Sequence, residues 1–223
     1  MLNDRLVEVR QQPVPPFQSA TARATQFFLS RTKDAFSMSI SCKKDNILGG
    51  IISAVGVAER ARQHGFTQSE LDRAKKLQLN AAERRANMKD DYRNSHYVNV
   101  CVDNFLEGEP LLSVDFKLEN TQKLDREVTL AEVNAAVKEL ITDKNQVVLM
   151  YAPDKDDYEI PSAEQIEQVI LSTQQHPYAP YTEDLQNISL TSYLSPLTSK
   201  KGTIVSEQPY RHGFTELTLS NGR

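Results

Sequence analysis

Three features of the sequence predict an α+β domain in which long helices are layered on a mostly antiparallel sheet. Serine alternates with apolar residues in Phe36-Ser37-Met38-Ser39-Ile40-Ser41-Cys42, the period of a strand with one buried face. Three Ser/Thr-x-x-Glu/Gln boxes, opening at Thr67, Thr129 and Ser162, each precede apolar residues at helical spacing. The 223 residues are 39% hydrophobic and 25% charged, which excludes wholesale disorder and fibrous repeats.

The elements follow in order. Leu2, Leu6 and Val9 lie on one helical face and predict a short helix before the cluster Pro13, Pro15 and Pro16. None of the ten prolines lies between Phe17 and Glu109, and four fall in the last fifty residues, so the regular core is expected within residues 17–175. Ser19–Leu29 mixes small, β-branched and aromatic residues and predicts a strand. The polar connection Arg31-Thr32-Lys33-Asp34 joins it to Phe36–Cys42 as a hairpin. Asp45 is placed to cap a helix whose stripe is Ile47, Leu48, Ile51, Ala54, Val55 and Ala58, ending at Gly65. The Thr67–Glu70 box opens a long helix through Leu71, Ala74, Leu77, Ala81, Met88 and Tyr92. The pattern resumes at Tyr97, Val98, Cys101, Val102 and Phe105, after a break at Asn94-Ser95. Val133, Val137, Leu140 and Ile141 form the stripe behind Thr129; Ile166, Val169 and Ile170 form the one behind Ser162. Between them the apolar run Val147-Val148-Leu149-Met150-Tyr151 predicts a buried central strand. From about residue 177 the chain is rich in Ser, Thr, Pro and Tyr without a period, and is expected to be an extended linker. Three strands are few for so many amphipathic helices. The deficit predicts that part of the sheet lies outside this chain.

Composition narrows the function classes. A net charge of -4 argues against a dedicated nucleic-acid binder, which needs a cationic surplus to neutralise phosphate. The stripe Arg73, Lys75, Lys76, Arg84, Arg85, Lys89 and Arg93 is diluted by Glu83, Asp90 and Asp91 and lacks interleaved aromatics, so a solvated helix face is expected. No run of about 18 apolar residues occurs, so no membrane span is expected. Met1-Leu2-Asn3-Asp4-Arg5 lacks the basic-then-apolar pattern of a secretory signal.

Candidate chemistry is equally sparse. Cys42 and Cys101 are too few for a disulfide framework and are expected to be ordinary thiols. His64, His96, His176 and His212 never fall within five residues of one another, so no short zinc signature is present. His64 suits a helix C-terminus, and His176-Pro177 and His212-Gly213 suit turns. There is no Gly-x-Ser-x-Gly, and Gly49-Gly50 lacks the Lys-Ser/Thr of a phosphate loop. Asp90-Asp91 and Asp156-Asp157 stand in polar stretches, where solvated surface is the ordinary outcome. The residues therefore supply no catalytic group and no metal ligand of their own, and no substrate-binding residue can be named.

Several stretches together carry a resemblance. Met1-Leu2-Asn3-Asp4-Arg5-Leu6, Pro13-Val14-Pro15-Pro16-Phe17, Gly65-Phe66-Thr67-Gln68-Ser69-Glu70-Leu71-Asp72-Arg73-Ala74-Lys75 and Lys144-Asn145-Gln146-Val147-Val148-Leu149 resemble the pitrilysin/insulinase-type zinc metallopeptidases. Thr215–Gly222 resembles the strand and turn that open a new module in those enzymes.

The resemblance implies a clamshell of two halves, each of two related α/β modules, around an enclosed chamber. It places residues 1–175 in the second, non-zinc-binding module of the first half, truncated before its first strands. Residues 176–223 become the linker and the start of the third module. The His-x-x-Glu-His zinc ligands and the general base would lie upstream, and the assisting Arg and Tyr in the fourth module, so none falls on a residue here. The implied role is a non-catalytic fragment of a zinc-dependent metalloendopeptidase, a piece of chamber wall packed against the catalytic module. Zinc and the peptide substrate then belong to the parent enzyme, whose reaction is metal-assisted peptide hydrolysis beside a sheet edge. In this layout the Thr67–Tyr92 helix faces outward or backs the sheet. An inactive homologue acting as a protein-binding scaffold is the alternative. An exported, periplasmic parent is implied by the family's Gram-negative members. An unpaired edge, around Thr21–Phe28 or Phe36–Cys42, is expected to make the chain self-associate as a homodimer.

Overall fold

The structure is a computed structural model that describes residues 1–26, 33–153, 159–183 and 202–220. The chain divides into two compact units, Met1–Tyr181 and Thr182–Arg223. The first is α+β. Helix α1 (Leu2–Arg10) leads into a hairpin of β1 (Phe17–Gln26) and β2 (Asp34–Cys42). Six helices follow: α2 (Ile47–His64), α3 (Gln68–Asn87), α4 (Asn94–Glu107), α5 (Val114–Glu127), α6 (Leu130–Leu140) and α7 (Ala163–Gln175).

The hairpin is antiparallel from Ser19 opposite Ser41 to Gln26 opposite Asp34, with an irregularity between Phe17 and Ser19. The expected first strand thus begins two residues earlier, and Phe27, Phe28, Leu29, Arg31 and Thr32 lie outside the described residues. The serine alternation of β2 behaves as predicted. Ser37, Ser39 and Ser41 are exposed, while Phe36, Met38 and Ile40 turn inward. They pack on a core of Leu6, Phe17, Ala20, Ala22, Ala54 and Val57, which joins α1, the hairpin and α2. Phe17 is fully buried, and burying such a side chain contributes roughly 1.5–3 kcal/mol. Alanines at Ala20, Ala22 and Ala54 let the helices approach the sheet closely. At Gly50 an added Cβ would come within 3.0 Å of Cys42 Sγ and 3.3 Å of the Pro16 carbonyl oxygen, so the sequence leaves that position bare.

Helix α2 is the central spar, touching the hairpin, α1, α6 and α7. Its N-cap is Asn46, with no side-chain cap bond, one residue beyond the Asp45 expected from sequence. It stops at Gly65, whose φ of 74° and ψ of -162° suit only glycine. The Thr67, Thr129 and Ser162 capping boxes all form, with both reciprocal bonds present in each. The predicted break in the long helix comes earlier than Asn94-Ser95. Helix α3 ends at Asn87, a 3-10 turn spans Lys89–Asp91, and α4 starts at Asn94. Helix α3 packs on α5. Helix α5 is not anticipated by the periodicity, because its half-buried seam of Val114, Leu118, Thr121 and Asp125 is half polar.

One expected element is overturned. Val147–Tyr151 is not a buried strand: it has no regular structure, with Val147 79% and Tyr151 89% exposed. A strand needs a neighbour for its backbone hydrogen bonds, and among the described residues none lies beside this run. The sheet of this unit is the β1–β2 hairpin.

The second unit holds a hairpin of β3 (Ile204–Pro209) and β4 (Thr215–Leu219), joined through a 3-10 turn at Arg211–Gly213. Strand β4 covers Thr215–Leu219 of the stretch Thr215–Gly222 expected to form a strand and turn, whose last two residues lie outside the described residues. Strand β3 lies within residues 176–223, expected to be an extended linker and the start of the next module, and is not itself signalled by the sequence. Its Ile204-Val205 start is too short an apolar run to signal a strand without knowledge of its partner.

Candidate functional site

The most heavily constrained polar group of the first unit is Arg5. It sits on the apolar face of α1 and is almost wholly buried, as is its partner Glu70. Two parallel bonds of 2.7 Å join them, Arg5 Nε to Oε1 and Nη2 to Oε2. Nη2 also donates to the Gly65 carbonyl at 3.0 Å. The guanidinium lies 4.0 Å from the Tyr181 ring centroid and 4.8 Å from that of Phe66, a cation–π sandwich. Among the described residues Nη1 has no hydrogen-bond partner, which the faces of the two rings partly offset. Glu70 meanwhile accepts from the Thr67 amide at 2.8 Å as the far half of the α3 capping box. Tyr181 Oη donates to Glu8 at 2.6 Å. The cluster ties α1, the α2–α3 turn and residue 181 together. It is a structural clamp with no nucleophile and no open face.

A second clamp holds the chain after α7. Gln63 Nε2 donates to the His176 carbonyl at 2.8 Å, and the Tyr178 amide returns a bond of 3.0 Å to Gln63 Oε1. His64 Nε2 lies 2.6 Å from the Tyr178 carbonyl oxygen, and the His176 ring meets Tyr178 edge-on. Burial pushes the Tyr178 hydroxyl above its ordinary range. Beneath it, burial raises the Glu59 carboxyl while the 2.6 Å bond from Arg62 pulls it back.

The histidines are thus structural side chains. His64 and His176 serve this clamp, His96 stacks on Tyr92 at 4.3 Å and meets Tyr97 edge-on at 5.4 Å, and His212 occupies the 3-10 turn at a φ of 59°. Among the described residues no three His, Cys, Asp or Glu side chains converge as metal ligands do. Desolvation raises the Cys42 thiol, the opposite of what a reactive cysteine requires. Asp90 and Asp91 are exposed in their 3-10 turn; Asp156 and Asp157 lie outside the described residues.

The basic stripe is used locally. Lys89 pairs with Asp115 at 2.7 Å, Lys75 Nζ donates to the Val128 carbonyl at 2.6 Å, and Arg73 donates to Ser69. The Lys89 and Lys75 bonds tie the α3 side of the unit to α5 and its C-cap, and the Arg73 bond lies within α3; Lys76, Arg84, Arg85 and Arg93 are exposed.

What remains distinctive is apolar and uncovered. Helix α4 carries Tyr97, Val98, Cys101, Val102, Phe105 and Leu106 along an open groove of about 600 Å³, with Phe105 86% exposed. The Val147–Tyr151 run adds five consecutive apolar side chains in solvent. Contiguous apolar surface of this kind is the mark of an interaction site. The α4 stripe was legible in the sequence as helical spacing; its lack of a partner was not. Among the described residues no helix is long and apolar enough to cross a membrane.

Comparison with known proteins places this architecture. No family model matches the chain, and no curated relative does. Among solved structures it resembles the periplasmic protease PqqL from Escherichia coli, with a TM-score of 0.64 and 19% identity, over 99% of this chain and 24% of that one. It resembles the separately determined first half of PqqL with a TM-score of 0.63 and 18% identity, over 82% of this chain and 39% of that one. An insulinase family protease from Yersinia pestis aligns at 0.60 and 10% identity, over 78% of this chain and 36% of that one. The chain spans less than two-fifths of the length of each, and has a pitrilysin/insulinase-like fold.

Proposed function

We propose that this chain is a non-catalytic portion of a zinc-dependent metalloendopeptidase of the pitrilysin/insulinase type. Its role in that reading is to form chamber wall and to pack against the catalytic module. The observation that carries the reading is the match of 99% of the chain to about a quarter of PqqL. The match to the first half of PqqL supports a place in the first half of such an enzyme; in this proposal residues 1–175 are its second module and residues 176–223 lead to the third. The uncovered faces of α4 and Val147–Tyr151 support the same reading, since packing against another module would bury them. Peptide substrates and an exported, periplasmic location belong to the parent enzyme in this proposal.

Zinc does not fit the residues present. The four histidines serve clamps, stacking and turns, and no acidic or thiol group joins them in a ligand set among the described residues. No step of hydrolysis is therefore derived through a metal on this chain. The test is a quenched-fluorescent peptide assay with added zinc: no turnover is expected. Chelator-sensitive cleavage by the purified chain would overturn the proposal.

A further inference from the structure

The two edges of the β1–β2 hairpin differ. The Ala22 amide donates to Asn3 Oδ1 at 2.7 Å, and Asn3 Nδ2 donates to the Ala22 carbonyl at 3.0 Å. In an antiparallel ladder, successive residues point their backbone groups alternately toward and away from the partner strand. Ala22 therefore faces away from β2, and its register partner Met38 faces away from β1. Phe36 and Ile40 share the outward direction of Met38 by the same alternation. The Asn3 amide thus stands in for a neighbouring strand at the middle of the β1 edge. On β2, no group among the described residues bonds to the outward N–H and C=O of Phe36, Met38 or Ile40.

The β2 edge also lacks the features that discourage pairing. Ala35–Cys42 contains no charge, no proline and no glycine. Its alternation is self-complementary. An antiparallel two-fold with Ser39 on the axis sets Met38 opposite the partner's Ile40 and Phe36 opposite the partner's Cys42. Phe36, Met38, Ile40 and Cys42 then meet apolar side chains and every serine meets a serine, while Ala35 falls opposite the partner's Lys43. Asp34, the first residue of β2, then lies next to the partner's Lys43, which directly follows Cys42, while Lys44 and Asp45 belong to the turn beyond the strand. Moving the axis to Met38 would set Lys33 against the partner's Lys43, and like charges directly opposite are destabilising.

We propose that the outer edge of β2 is a strand-addition interface whose occupant is a second copy of this chain. The copies join antiparallel about a two-fold axis at Ser39 to make one four-stranded sheet. The interface is independent of the peptidase reading, which stands or falls on peptide cleavage and not on assembly.

The test uses the full chain. In a Cys42→Ala/Cys101→Ser background, Ser39→Cys places two thiols at a non-hydrogen-bonded pair, with Cα atoms about 4.5 Å apart, inside the disulfide range. Mild oxidation is expected to convert most of the protein to a covalent dimer. Ser37→Cys in the same background is expected to stay monomeric on denaturing gels, because its own copy lies about four residues, or 13 Å, along the strand. In the natural background, sedimentation is expected to show a dimer. Exposed Ser39→Lys, which brings like charges together on the axis, is expected to raise its dissociation constant at least about tenfold with the circular dichroism spectrum unchanged. A strict monomer at about 0.1 mM, a concentration that would populate even a weak dimer, would overturn the proposal. So would a dimer that Ser39→Cys fails to link, or one unaffected by Ser39→Lys, since association through α4 gives both results.

Discussion

At the scale of single residues, the decisive choice is a buried charge. Arg5 interrupts the Leu2/Leu6/Val9 stripe of α1, and an arginine on a buried face requires a carboxylate. That requirement is visible in the sequence; the identity of the partner, 65 positions away, is not. Removing one member leaves the other buried and unpaired, which costs about 3–5 kcal/mol, whereas removing both costs much less than the sum. Arg5→Met is therefore expected to destabilise the protein by that amount in urea denaturation. Adding Glu70→Gln, which keeps an acceptor for the Thr67 amide, should recover a substantial part of the loss. Strictly additive effects would show that the pair is not coupled.

At the scale of elements, local chemistry and packing contribute separately. The Thr129 and Ser162 boxes share a geometry, and the hydroxyl of each also bonds a carboxylate of the first helical turn, Glu132 in one and Glu164 in the other. Bonds from the Thr129 amide and hydroxyl hold the Glu132 carboxyl below its ordinary range. A depressed carboxyl adds stability that is present above the unfolded value of 4.5 and is lost as pH falls through the lower folded one. Gln165 does not titrate, but its neighbour Glu164 does: its own backbone amide and the Ser162 hydroxyl hold that carboxyl below its ordinary range. Ser162→Ala is expected to cost about 1 kcal/mol near neutral pH and to lose part of that cost as the pH falls through the carboxylate range, because Glu164 loses the Ser162 bond. Thr129→Ala should lose part of its effect as the pH is lowered through the carboxylate range, in thermal melts of the variants beside the parent. An effect of Thr129→Ala that is flat with pH would count against the ionised box. These boxes were fully legible because each needs only four consecutive residues. Helix α5 was not, because the seam it offers α3 is half polar and only the tertiary contact makes it a packed face.

At the scale of the whole molecule, the first unit has more helix than its two-stranded sheet can cover. The consequence is the apolar surface of α4 and of Val147–Tyr151 left in solvent. Backbone amides without partners exchange quickly, and those inside a ladder slowly. Hydrogen exchange followed by mass spectrometry is thus expected to place Val147–Tyr151 among the fastest segments, with the inward amides of Thr21, Arg23, Ser37 and Ser39 among the slowest. Protection of Val147–Tyr151 comparable to β2 would mean that the run is a paired strand.

The sequence by itself determined what depends on neighbours within a turn or a strand: the helix starts at Thr67, Thr129 and Ser162, the stop at Gly65, and the two faces of β2. Period and capping are short-range, so a single chain displays them. Only the tertiary structure decided which partners those elements meet. It joined Arg5 to Glu70, bonded Asn3 to the β1 edge and, among the described residues, left the β2 edge without a partner and Val147–Tyr151 without the neighbour its composition asks for. An apolar run states that it must be covered, but hydrophobic burial carries no address, and the covering surface is chosen by contacts far apart in the chain.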